Sequence, residues 1–245
     1  MNPKYTLEKS NYSNMKCIKM LCDKPLSNKR TIKPPFLNNK GFMMICVGKP
    51  GSGKSTFLFS MLTNKNIYKK IFTNILYVCP SNSRASVKDN PLADLDDNHL
   101  FDNLGGEVQE QIHTNKEEYD DKPEKNQSQL LIIDDCTAYL KDNDNILMLG
   151  ELAMNRRHLN LSIILLVQYV VSIPPVLRSQ YNAIVIFKPV KKDYERINKE
   201  FLFMKKDEFI NFIDYVFKNK HDNLFINVDN DNDYYKNLQK IIIND

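Results

Sequence analysis

The chain has 245 residues, 42% of them hydrophobic, which is enough to bury one sizeable core and gives no reason to expect two. Its net charge of +4 is mild and lopsided, because residues 1–40 hold nine Lys or Arg against two Asp or Glu, leaving a basic head and a nearly neutral body. The five cysteines are an odd number and three of them, Cys46, Cys79 and Cys136, lie in or beside runs that read as buried strands, so a reducing compartment is expected; the four histidines are scattered with no Cys/His pairs at zinc-ligand spacing, so no zinc site is expected.

In chain order, residues 1–40 alternate Lys, Asn and Pro with isolated apolar residues and read as an extended basic arm. No apolar leader core opens the chain. The most apolar stretch, 161–176, is interrupted by Gln168 and by Pro174-Pro175 and is too short to span a bilayer, so the expectation is a soluble protein that is not secreted and has no membrane partner. Residues 41–245 are expected to form one α/β domain. A buried-strand run, 42–47, breaks into Gly48-Lys49-Pro50-Gly51-Ser52-Gly53-Lys54-Ser55-Thr56 and then into the helix-forming 54–62. Gly48, Gly53, Lys54 and Ser55 stand at the spacing of a phosphate-binding loop, and the strand before and helix after supply the context that this motif requires. Glycine permits positive φ, backbone N–H groups approach phosphate oxygens, Lys54 adds a point charge, and the Ser55 hydroxyl can replace a water on Mg2+. The implied cofactors are ATP and Mg2+.

A second strand, 74–79, stops at Pro80. Residues 81–128 hold twelve acidic against five basic residues with no evident apolar period, and are expected to be an acidic surface insertion. Strands follow at 129–133, 161–167 and 182–187, with a helix at 145–157 between the first two. Continuous Val/Ile/Leu runs alternating with helices predict a mainly parallel sheet covered on both faces. The tail, 191–245, reads as a C-terminal helical part with one short strand at 224–228 and a last helix over 234–243. Asp229, Asp231 and Asp233 mimic the start of a calcium loop, but Tyr234 and Lys240 stand where glycine and glutamate are needed, so calcium binding is rejected.

The run 129–133 ends in Asp134-Asp135. A carboxylate at a strand exit beside the phosphate loop can hold the metal, a role expected of Asp134, while Asp135 can orient or deprotonate the attacking water. Gln168, a polar amide ending an apolar strand, is placed to bridge water and γ-phosphate. Arg156, Arg157 and Arg178 lie in loops on the far side of the sheet from the phosphate loop, where an arginine reaches a neighbouring subunit's nucleotide more readily than its own.

Together, Gly48 to Ser55, Leu131-Ile-Ile-Asp-Asp135, the tract from Arg156-Arg-His-Leu-Asn to Gln168, and Ile173-Pro-Pro-Val-Leu-Arg178 resemble the poxvirus-type genome-packaging ATPases of large DNA viruses, in the FtsK/HerA superfamily. The resemblance covers about 41–187. It implies a P-loop fold of the ASCE type, with a strand inserted between the phosphate-loop strand and the acidic strand. It also implies a homo-oligomeric ring of about five or six subunits, ATP-driven movement of double-stranded DNA into a capsid with capsid proteins as partners, and a place in the host cytoplasm, the viral factory, or the virion. Lys54 and Ser55 then match the ATP loop, Asp134 the metal carboxylate, Asp135 the catalytic acid, Gln168 the sensor, and Arg157 and Arg178 the inter-subunit arginines. The chain departs from the usual pattern at Arg156, where glycine is common, and at Asp135, where glutamate is common. The competing readings are a P-loop kinase acting on a nucleoside or small molecule, and a nucleotide-dependent scaffold without sustained turnover.

Overall fold

A computed structural model describes residues 25–85, 87, 90–122, 127–229 and 233–242. Cys17, Cys22, Asp231 and the start of the expected arm lie outside the described residues; Cys46, Cys79 and Cys136 are buried and free.

The elements in chain order are β1 (Met43–Val47), α1 (Lys54–Thr63), β2 (Asn74–Val78), α2 (Ser81–Ala85), β3 (Leu100–Phe101), α3 (Gly106–Asp120) and β4 (Gln129–Ile133). They continue with α4 (Asn143–Asn155), β5 (Leu161–Val167), α5 (Pro175–Arg178), β6 (Ala183–Phe187), α6 (Tyr194–Ile197), α7 (Lys206–Val216), β7 (Asn223–Asn227), β8 (Asp233–Lys236) and β9 (Gln239–Lys240). All pair into one nine-stranded sheet in the order β3-β2-β4-β5-β1-β6-β7-β8-β9. It is parallel from β3 to β6 and antiparallel beyond. β5 lies between β1 and β4, which is the inserted strand that the resemblance implied.

Every residue of β1, β4, β5 and β6 is buried, as continuous apolar runs in a sheet covered on both sides require. Successive side chains go to opposite layers: Met43, Ile45 and Val47 join the layer under α3, α4 and α7, whereas Met44 and Cys46 join the layer under α1. The second layer also holds Leu26, Ile32, Phe36 and Leu37, so residues 25–40 of the expected arm are packed on the domain. Tyr68 Oη donates to Leu37 O at 3.1 Å, and Arg30 donates to the carbonyls of Lys65, Ile67 and Lys69.

Two stretches differ from their sequence-based expectation. Within the acidic 81–128, α3 turns Val108, Ile112, Asn115 and Tyr119 inward at helical spacing, with Val108 and Ile112 in the core. Five acidic residues on its other faces hide that period in a count of composition. The expected last helix over 234–243 is instead the hairpin β8–β9. Tyr234 packs on Phe212 and Tyr235 on Phe225, on opposite sides of the sheet, and Asn237 and Leu238 make the two-residue turn at φ of 47° and 69°. The rest of the tail follows its helical stripes: a π-helical turn, Asn198–Leu202, continues α6, and α7 buries Phe209, Ile213 and Val216.

Candidate functional site

A cleft of about 330 Å³ opens where β1, β4 and β5 end. β1 delivers Gly48 beside β5, where its N–H donates to Val167 O at 3.0 Å. A side chain does not fit at Gly48, since a Cβ would lie 2.6 Å from Ser52 Oγ and 2.8 Å from Phe187 Cβ. Gly51 and Gly53, by contrast, are required by backbone conformation, at φ of +69° and +107°. α1 begins on Gly53 with no side-chain cap and no acidic residue in its first turn. Its leading N–H groups and the positive end of its dipole therefore face the turn without a side chain of their own to answer them, which suits an anion. Ser52 Oγ is buried there with no protein partner.

Lys54 Nζ donates to Gly48 O at 2.5 Å and Lys49 O at 3.1 Å. Burial lowers its pKa, opposed by the nearby Asp134 carboxylate. Asp134 extends β4 by one bond, its N–H donating to Val78 O at 2.9 Å, and its Oδ2 accepts from Ser55 Oγ at 2.8 Å. Burial raises its pKa against the opposing bond from Ser55 and the charge of Lys54. Asp135 turns outward at φ 56°, exposed, and its Oδ2 accepts from Ser83 Oγ at 2.6 Å. Gln168, half-buried at the end of β5, completes the wall. The Cys46 thiol behind the loop is pushed up to about 12 by burial and is an inert packing group.

The structure thus gathers Pro50, Gly51, Ser52, Gly53, Lys54, Ser55, Thr56, Asp134, Asp135 and Gln168 around one cleft, with Gly48 and Lys49 anchoring the turn. It does not bring the three arginines there. Arg156 and Arg157 adjoin Gly41, just before β1, whereas the phosphate-loop turn follows β1; five strand residues separate the two ends by about 16 Å. Arg156 is buried and structural, its Nε donating to Gly41 O at 2.7 Å and its guanidinium reaching Gln180 Oε1 at 3.1 Å and Asn182 Oδ1 at 3.4 Å. Arg157 is exposed and lines a separate small cavity with Lys40 and Asp229. Arg178 ends α5, with Nε donating to Ile173 O at 3.1 Å and Nη1 paired with Glu200 at 3.3 Å.

Two contributors were not singled out in the sequence. Ser83 arrives from the exit of β2, the neighbour of β4, so the strand order would have pointed to it; His221, whose Nδ1 lies 3.1 Å from Ser52 O, comes from the tail and carries no sequence signal.

Three comparisons bear on this geometry. A family model described as "Poxvirus A32 protein" matches residues 30–243. "Uncharacterized protein 015R" of Frog virus 3 (isolate Goorha) is 28% identical over 154 residues, 60% of this chain and 44% of that protein, so the chain spans less than half the length of this relative. Among solved structures, B204, the DNA-packaging ATPase from Sulfolobus Turreted Icosahedral Virus, superposes with a TM-score of 0.56 at 15% identity, over 84% of this chain and 99% of that one. The genome packaging NTPase B204 from Sulfolobus turreted icosahedral virus 2 in complex with sulfate gives 0.58 at 18% identity, over 84% and 100%. The same protein in complex with ATP-gammaS gives 0.54 at 18%, over 80% and 95%. These structural likenesses establish the mainly parallel P-loop fold.

Proposed function

The chain belongs to the poxvirus A32 protein family, and from that membership we propose that it is a viral genome-packaging ATPase that hydrolyses ATP to move double-stranded DNA into a capsid. The observation that carries the reading is the convergence of Lys54, Ser55, Asp134, Asp135 and Gln168 on one cleft at the exit edge of the sheet, against a glycine turn built for phosphate. The B204 neighbours support it, being a DNA-packaging ATPase and a genome packaging NTPase, the latter also seen in complex with ATP-gammaS.

In this reading the turn's N–H groups and Lys54 bind the β- and γ-phosphates. Ser55 Oγ and Asp134 Oδ2, already 2.8 Å apart, are the hard oxygen pair that would hold Mg2+, and that ion would supply neutralisation of charge on the β- and γ-oxygens. Two protein oxygens would leave the rest of an octahedral Mg2+ shell to phosphate and water. Asp135, fixed by Ser83, orients the attacking water, and Gln168 bridges that water and the γ-phosphate. Arg157, at the opposite end of β1, or Arg178, which lines no part of the chain's own cleft, serves a neighbour's cleft in a ring. No described helix is long and apolar enough to cross a membrane, and we place the protein in the viral factory or virion with DNA and capsid proteins as partners.

The test is ATP turnover by the purified protein with and without double-stranded DNA. Turnover that DNA accelerates and Lys54→Ala abolishes is expected. Tight ATP binding without turnover would favour a scaffold, and turnover indifferent to both DNA and Lys54→Ala would sink the assignment.

A further inference from the structure

The direction of β7 brings the tail to the phosphate loop. β6 runs parallel to β1 and ends at Phe187, at the edge where the turn from Gly48 to Gly53 sits. β7 is antiparallel to β6, with Asn223 paired to Phe187, so the chain entering β7 passes that same edge. His221 stands in that entering segment, and its Nδ1 is 3.1 Å from Ser52 O. It also lies beside Gly53, 3.6 Å from where a Cβ would be. A carbonyl only accepts, so Nδ1 carries the proton and donates.

We infer that His221 is a positioning residue for nucleotide binding, which holds the Ser52–Gly53 peptide so that the Gly53 N–H faces the phosphates. The peptide is planar and trans, so its C=O and N–H point in opposite directions. Ser52 and Gly53 line the cleft while His221 stands outside its lining, so drawing the Ser52 carbonyl toward His221 aims the Gly53 N–H at the cleft side. The hold matters here because Gly53, at φ +107°, and Gly51, at φ +69°, have no Cβ to resist rotation of the intervening peptides. A rotated Ser52–Gly53 unit would present a carbonyl oxygen to the phosphates and replace an attraction by a repulsion. No element of the parallel sheet supplies a second hydrogen bond to this carbonyl among the described residues.

This inference rests on the nucleotide reading of the cleft, and its test separates the two. Binding of ATP and ADP to the full-length protein is measured by calorimetry for wild type, Lys54→Ala, His221→Ala and His221→Asn, with ATP turnover followed alongside. The Asn amide nitrogen occupies nearly the position of Nδ1 and keeps the donor. His221→Ala should weaken ATP and ADP alike by about three- to tenfold, the worth of one hydrogen bond, and raise KM with kcat nearly unchanged. His221→Asn should return both affinities to within about twofold of wild type. Wild-type affinity in His221→Ala, or His221→Asn as weak as His221→Ala, would overturn the positioning role while leaving the cleft's function intact. Absence of nucleotide binding by wild type would remove the functional reading and this one with it. Because His221 is exposed on a loop, both variants are expected to melt at the wild-type temperature, and a loss of affinity explained by a lower melting temperature also counts against the inference.

Discussion

Asp134 is 8% exposed and its pKa is raised, with burial outweighing both the Ser55 bond and the Lys54 charge. The folded chain therefore holds that proton more tightly than the unfolded chain does. This group's contribution to stability is complete below its unfolded pKa and is lost as pH rises through the raised folded value. Asp134→Asn keeps an oxygen for Ser55 and removes the charge. It is expected to raise the melting temperature of the protein by a few degrees at about pH 8, with the gain vanishing near about pH 4, while abolishing ATP turnover. Thermal melts across pH check the sign. Lys54, Asp134 and Gln168 were legible in the sequence because each sits at a fixed offset from an apolar strand whose exit edge is where such sheets bind ligands. Ser83 and His221 were not, since each reaches the site from a strand or loop that becomes a neighbour only when the sheet order is known. Arg156 illustrates the converse: an arginine in a motif-like pair proves to be a buried clasp between Gly41, Gln180 and Asn182.

Among the elements, β1, β4, β5 and β6 announce themselves as apolar runs and are buried throughout, while β2, also apolar, is buried from Leu76 to Val78. α3 does not, because its four inward positions are diluted by acidic residues that water solvates equally well on a helix or in a coil. The hairpin β8–β9 was missed because Asn237-Leu238 lacks the glycine that usually marks a two-residue turn, and because the adjacent tyrosines suit either period. α3 is held by substance and not merely draped on the surface. Asn115 Nδ2 donates to Gln129 Oε1 at 3.1 Å, and the Gln129 amide in turn donates to Ile112 O at 3.1 Å and Leu159 O at 3.0 Å, joining helix, strand and the approach to β5. Ile112→Ala is accordingly expected to cost about 2–5 kcal/mol in urea unfolding, a core-sized loss. A loss under about 0.5 kcal/mol would mark the segment as the peripheral insertion that its composition suggests.

For the whole molecule, the absence of Arg178 from the chain's own cleft carries a prediction about assembly. Arg178 is paired with Glu200 and lines none of the nucleotide cleft, so its proposed role needs a second subunit. Lys54→Ala and Arg178→Ala proteins should each be inactive alone. Mixed in equal amounts they should recover a measurable part of the DNA-stimulated turnover, since some interfaces then combine an intact Lys54 on one side with an intact Arg178 on the other. Failure of every mixture, with mixed rings demonstrated by native mass spectrometry, would remove Arg178 from the catalytic set and leave Arg157 to be tested in the same way. The reversal of strand direction at β7 has a mechanical corollary. Val216, the last residue of α7, and His221 are five positions apart, so the packed tail is tethered to the phosphate loop by a leash too short to go slack. A displacement of α7 would therefore pull on the Ser52 carbonyl within a few bonds, which couples the antiparallel end of the sheet mechanically to the phosphate-loop turn.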